Sequence, residues 1–111
     1  MYDEVQSMWK TKMHPWKLYR SRTPGKKWDV YVPTKHGKPV RVSYGAAGMS
    51  DFTKHRDVDR RERYRRRHRH DHIGDPYKAG FWSWWHLWGT TSNARVAFAD
   101  AVARAKRAIG A

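Results

Sequence analysis

The sequence predicts an α+β fold. A small antiparallel β-hairpin or three-stranded unit comes first, followed by a basic helix, an aromatic helical segment and a C-terminal helix. Three observations carry this. Residues 27–32 and 39–44 alternate apolar and polar side chains around a short Gly-containing loop, the pattern of a hairpin with one buried face. Residues 57–70 hold neither Gly nor Pro and are dense in Arg. Residues 93–109 are rich in Ala and come directly after Ser92, a good helix cap.

In chain order, residues 1–14 have no clean period and read as an N-terminal arm, with room for a short helix over Asp3 to Lys12. Residues 16–22 alternate weakly and supply a candidate third strand, and Pro24-Gly25 is a turn signal. In 27–32, Trp28, Val30 and Val32 face one way and Lys27, Asp29 and Tyr31 the other. Pro33 ends that run, His36-Gly37 supplies the next turn, and Val40, Val42 and Tyr44 form the matching face. Such a sheet is apolar on one side and needs a cover. Residues 15–45 make the hairpin unit and 46–111 the helical part of one domain spanning 1–111.

Gly45-Ala46-Ala47-Gly48 connects the two parts, and Ser50 or Asp51 is placed to cap the start of the helical part. Asp57 or Asp59 is suited to cap the basic helix, and the early acids and later cations match its dipole. Gly74-Asp75-Pro76 stops it. Residues 78–88 (KAGFWSWWHLW) are the aromatic block, ended by Gly89. In the last helix Phe98, Val102, Ala105 and Ile109 recur at helical spacing as the predicted buried stripe.

Composition sets the limits. Leu, Ile, Val and Phe number only 15 of 111 residues, which with high charge points towards disorder. Trp, Tyr and Phe number 16, enough for a small aromatic core. No cysteine is present, which excludes disulfides and thiolate metal sites. No apolar run reaches ~18 residues, so no membrane span and no membrane partner is expected. The first residues, MYDEVQSMWK, lack the apolar core of a signal peptide.

The formal charge is +14, and residues 54–70 alone hold nine Lys or Arg against three acids. Guanidinium groups make planar, bidentate contacts with phosphate. Arg60, Arg61, Arg63, Arg65, Arg66, Arg67 and Arg69 are therefore the candidate nucleic-acid or polyanion-binding residues, for DNA or RNA through phosphate contacts. Phe81, Trp82, Trp84, Trp85 and Trp88 are candidate protein-interface anchors, with burial in the core as the competing reading. His55, Asp57, Tyr64 and His68 are expected to form a polar joint between helix and hairpin. His68 and His72, at i and i+4, invite a metal, but no clear third or fourth ligand accompanies them. A small nuclease holding a divalent ion through His55, Asp57 and His68 lacks the usual carboxylates. No cofactor, metal or catalytic residue is expected.

The run Arg20-Ser21-Arg22-Thr23-Pro24-Gly25-Lys26-Lys27-Trp28, then Val42-Ser43-Tyr44-Gly45-Ala46, resembles a family of small basic proteins encoded by large DNA viruses and some bacteriophages. The resemblance continues through Asp51-Phe52-Thr53-Lys54-His55-Arg56-Asp57, Arg60, Tyr64 and Arg67-His68. It ends with Ala79-Gly80-Phe81-Trp82-Ser83, Trp85, Leu87 and Trp88, so that it covers residues 20–95 in order. It implies a viral origin and no particular activity. The expected function is a non-enzymatic virion component, a minor capsid or capsid-lining protein contacting capsid protein and nucleic acid. Its setting would be the virion, with the host cytoplasm or nucleus during assembly. The alternative is a nucleic-acid-binding protein acting in replication or packaging.

Overall fold

The structure is a computed structural model that describes residues 13–110. The helix expected over Asp3 to Lys12 lies outside the described residues. Strands β1 (Leu18–Arg20), β2 (Lys26–Val32) and β3 (Val40–Ala46) form an antiparallel sheet in that order. The register matches the alternation read from sequence. Trp28, Val30 and Val32 stand opposite Tyr44, Val42 and Val40, with Leu18 beside Val30 on the outer strand. Directly paired residues share a face, so these side chains make one apolar surface.

That surface is covered by helix α3 (Ala79–Trp82), which runs on into a π-helical stretch, Ser83–Leu87. Trp82, fully buried, is the central cover. Its ring lies 6.1 Å from Tyr44 and 5.9 Å from Phe98, and its indole N–H donates to the Pro76 carbonyl at 2.8 Å. Burying ~200 Å² of indole at about 25 cal/mol per Å² contributes roughly 5 kcal/mol. The wide turn is marked by the Trp88 N–H donating to the Ser83 carbonyl, a bond of i to i−5 type. It spreads a run of bulky residues over more directions than an α-turn would. Trp82, His86 and Leu87 reach the core, while Trp84, Trp85 and Trp88 reach other partners.

Helix α4 (Ala94–Ile109) lies over the π-helical stretch. Its cap is Asn93, whose side chain accepts from the Val96 N–H, rather than Ser92. Its deepest stripe is Ala97, Ala101 and Ala105, each fully buried; of the predicted stripe, Phe98, Val102 and Ile109 flank it half-buried. Alanine wins the centre because the helix packs against tryptophan, and only small residues let its backbone come close.

The sheet's second face holds a polar knot. Asp29, 1% exposed, accepts hydrogen bonds from the hydroxyls of Ser21 and Ser43, both at 2.6 Å, and from the Arg22 N–H at 3.1 Å. Burial pushes the Asp29 carboxyl up, but these bonds outweigh it and hold its pKa below the ordinary value. Between sheet and cover, Tyr44 and His86 are both buried and joined at 2.7 Å, the phenol hydroxyl to Nδ1. Burial lowers the His86 pKa from 6.5 to about 4.

Short helix α1 (Phe52–His55) is capped by Asp51, and α2 (Val58–His68) by Asp57, which accepts from the Arg60 N–H at 3.2 Å. The basic helix ends at His68, two residues earlier than expected. His72 therefore leaves the helix, with φ of +58°, and shares no helical face with His68.

This packing has two measurable consequences. An unfolded chain takes up a proton on His86 near pH 6.5, whereas the folded chain resists until about pH 4. Stability is then full above 6.5 and falls by roughly 3 kcal/mol as pH drops to 4. Urea midpoints measured across that window would show the decline, and a flat profile would contradict it. Secondly, a Cβ on Gly80 would sit 1.7 Å from the Asp71 carbonyl oxygen. Gly80→Ala gains up to ~1 kcal/mol of helix propensity, but the collision with fixed backbone costs more. The variant is expected to lose at least ~2 kcal/mol in chemical denaturation.

Candidate nucleic-acid interface

Helix α2 presents two different arginine faces. The inward face grips the end of the aromatic segment. The Arg65 guanidinium donates to the carbonyls of Trp88 at 2.6 Å and Trp84 at 3.4 Å, and Arg61 donates to the Gly89 carbonyl at 3.3 Å. These carbonyls lie at or just beyond a helix C-terminus, where acceptors lack intrahelical partners and cations are favoured. Arg65 also lies 4.0 Å over the Trp84 ring, and Arg61 4.8 Å over Phe52. Burial, reinforced by the neighbouring charge of Arg61, pushes the Arg65 pKa below the ordinary arginine value. The group stays charged. Arg104 of α4, paired with Asp100, covers the Trp85 ring at 3.8 Å.

Beside this clamp runs a column of rings. His68 stacks on Tyr64 at 4.2 Å, Tyr64 on Trp88 at 4.3 Å with the planes 6° apart, and Trp88 meets His55 at 5.3 Å. The expected polar joint therefore forms differently. His55 and Tyr64 do turn inward, onto the Trp88 ring rather than the hairpin, and His68 stacks on the outer side of Tyr64. Asp57 is exposed as a helix cap, and its N–H donates to Nδ1 of His55. The His–Asp pair is His68 with Asp71, at 2.6 Å. Burial raises the Tyr64 pKa.

The other face of α2 carries Arg60, Arg63 and Arg67, at i, i+3 and i+7. They line a concavity of about 460 Å³ whose opposite wall is the sheet end at Lys26, Lys27 and Gly45. Gly45 closes that wall tightly: at φ of +81°, a Cβ there would stand 2.9 Å from Leu87 Cδ1. Asp51 on the wall is paired with Lys27. Among the described residues no acid pairs with Arg60, Arg63 or Arg67.

The seven predicted arginines thus divide. Arg61 and Arg65 are structural, while Arg60, Arg63, Arg66, Arg67 and Arg69 are exposed. Sequence spacing alone did not separate them, because the division depends on where the Trp84, Trp88 and Gly89 carbonyls fall. The predicted anchors are corrected as well. Phe81, Trp82 and Trp84 are buried, and Trp85 and Trp88 are half-buried against arginine, histidine and tyrosine, so the block serves as core and clamp. His55, Asp57 and His68 are each engaged elsewhere. Among the described residues no group of three or more His, Cys, Asp or Glu could hold a metal ion. Nor is any helix there long and apolar enough to cross a membrane. Lys26 and Lys27, outside the predicted site, join its cationic lining; their signal in the sequence was only the overall basic charge.

Fold and site together define a small α+β protein with a cationic groove between a sheet end and a helix. A family of unknown function, DUF5754, matches residues 16–68, from the lead-in to β1 through the last residue of α2. The chain is similar to that family over the sheet and basic helix. No curated protein and no solved structure matches the chain.

The two arginine faces predict opposite mutational outcomes. Arg65→Met leaves two carbonyls without their donor and removes the cation over the Trp84 ring, and should lower unfolding stability by ~2–4 kcal/mol. Arg66→Met should stay within ~0.5 kcal/mol. Equal losses in the two variants would contradict the clamp.

Proposed function

We propose that the protein is a non-enzymatic nucleic-acid-binding component of a virus particle, neutralising phosphate with the exposed arginines of α2. The observation that carries this reading is that Arg60, Arg63 and Arg67 share one exposed helix face with no acid pairing among the described residues. Like charges at this spacing repel, and a polyanion relieves the repulsion. The viral setting rests on the resemblance of residues 20–95 to small basic viral proteins. In that setting the protein lies on the genome side of a capsid in the virion, and in the host cytoplasm or nucleus during assembly. A capsid contact through Phe81–Trp88 does not survive, since those rings are engaged within the fold. Nucleic acid is the partner retained, and any capsid contact uses other surfaces.

Titration with DNA and RNA at several salt concentrations tests the reading. About five phosphate contacts predict a slope of log K against log salt near −4.5 for duplex DNA, or roughly −3.5 for a single strand. Charge-removing substitutions at Arg60 and Arg67 should flatten it by about two contacts. Absence of binding at low salt would sink the proposal. Failure to find the protein in purified virions would remove the virion setting alone.

A further inference from the structure

We infer that the groove between the sheet end and α2, rather than the outer face of α2, is the binding site, and that its ligand is a single nucleic-acid strand. The inference rests on the nucleic-acid reading above and makes it specific for path and strandedness. Two concavities, of about 460 and 550 Å³, share Lys26, Lys27, Met49 and Ser50 in their walls, so they adjoin and together make up the groove assigned to the strand. Each falls within the ~300–1,000 Å³ of small-molecule pockets, a scale that admits individual nucleotides. A duplex, whose major groove alone is ~12 Å wide, rides over such a cleft without entering it.

The charges suit a strand's backbone. Arg60, Arg63 and Arg67 stand along one end, Arg20 and Lys54 along the other, and Lys26 where the two concavities meet, while Lys27 beside it is held by Asp51. The carboxylates on the walls, Asp51 and Asp71, are already engaged by Lys27 and His68, which blunts their repulsion of phosphate. The outer face of α2 is less favourable. There only Arg66 and Arg69 are at hand, following Asp59 and Glu62 along the same side of the helix; Glu62 is paired with Arg61, and exposed Asp59 offsets part of the field.

The groove also offers surface for bases. Met49, 62% exposed, lies in the wall that both concavities share, and half-buried Trp28, one part of which packs on the core beside His86, lines the second with the rest. A thioether and an indole give soft and planar contacts that tolerate any base. Tyr64 does not serve, because His68 and Trp88 are stacked against it.

The test uses the full chain and fluorescein-labelled oligothymidylate, oligouridylate and a duplex of equal length, read by anisotropy at one salt concentration. One stacked base at ~1–3 kcal/mol predicts that a single strand binds about fivefold or more tighter than the duplex. The comparison of the two single strands identifies DNA or RNA as the source. Arg63→Gln and Lys26→Gln should each weaken single-strand binding about threefold or more, and Met49→Ser should reduce the preference over duplex. Arg66→Gln and Arg69→Gln should change it less than about twofold. All these positions except Lys26 and Met49 lie on α2 or its cap, and all are exposed, so circular dichroism should report unchanged folds. Duplex bound as tightly as single strand, or outer-face variants as damaging as groove variants, overturns the groove assignment while nucleic-acid binding stands. No binding of any probe at low salt overturns both.

Discussion

The structure depends on the contact between Arg65 and the end of the aromatic segment. A helix this polar buries too little apolar surface to dock by the hydrophobic effect. It docks instead by charge-assisted hydrogen bonds to carbonyls that the π-helical stretch leaves exposed, and by laying guanidinium over indole. Arg61 repeats the device one turn earlier, on the Gly89 carbonyl and the Phe52 ring. Because these bonds fix the rotation of α2, they also fix which arginines remain outside. The clamp and the groove are two consequences of one helix orientation.

A chain with 15 Leu, Ile, Val and Phe residues has little material for an aliphatic core. It substitutes large rings for aliphatic volume and small alanines for distance. Trp82 fills the space between Tyr44 and Phe98, and the alanine stripe of α4 lets a helix backbone close over the π-helical stretch. The polar atoms of those rings then need partners. Trp82 and Trp85 donate to the Pro76 and Ile73 carbonyls, while Tyr44 pairs with His86. A neutral buried histidine in the core makes the fold sensitive to acid, a vulnerability that an all-aliphatic core avoids.

The groove inherits its electrostatics from the same economy. With 24 cations and 10 acids, few carboxylates are available for pairing. Those present near the site are spent on folding. Asp51 caps α1 and pairs with Lys27, and Asp57 caps α2. The family match over residues 16–68 contains every lysine and arginine that lines the groove, and stops before the aromatic segment that holds α2 in place.

Local pattern by itself determined the α+β class, the hairpin and its facing residues, and the existence of the basic and C-terminal helices, and it offered residues 16–22 as a candidate third strand. Alternation of Trp28, Val30 and Val32 against Val40, Val42 and Tyr44 fixes which faces meet, because a one-residue slip would turn either set to the opposite side. Capping chemistry likewise narrowed the start of α2 to Asp57 or Asp59, and the structure uses Asp57. Tertiary structure decided what period and propensity do not encode. Seven arginines on one helix are chemically alike, and only the position of three carbonyls separates clamp from groove. The tryptophans were legible as aromatic mass for either core or interface, and the choice was not, because an α-helical wheel misplaces residues in a wider turn. The lysines that complete the groove come from the sheet end and the α1 segment, distant from α2 in sequence, and chain topology alone brings them opposite its arginines.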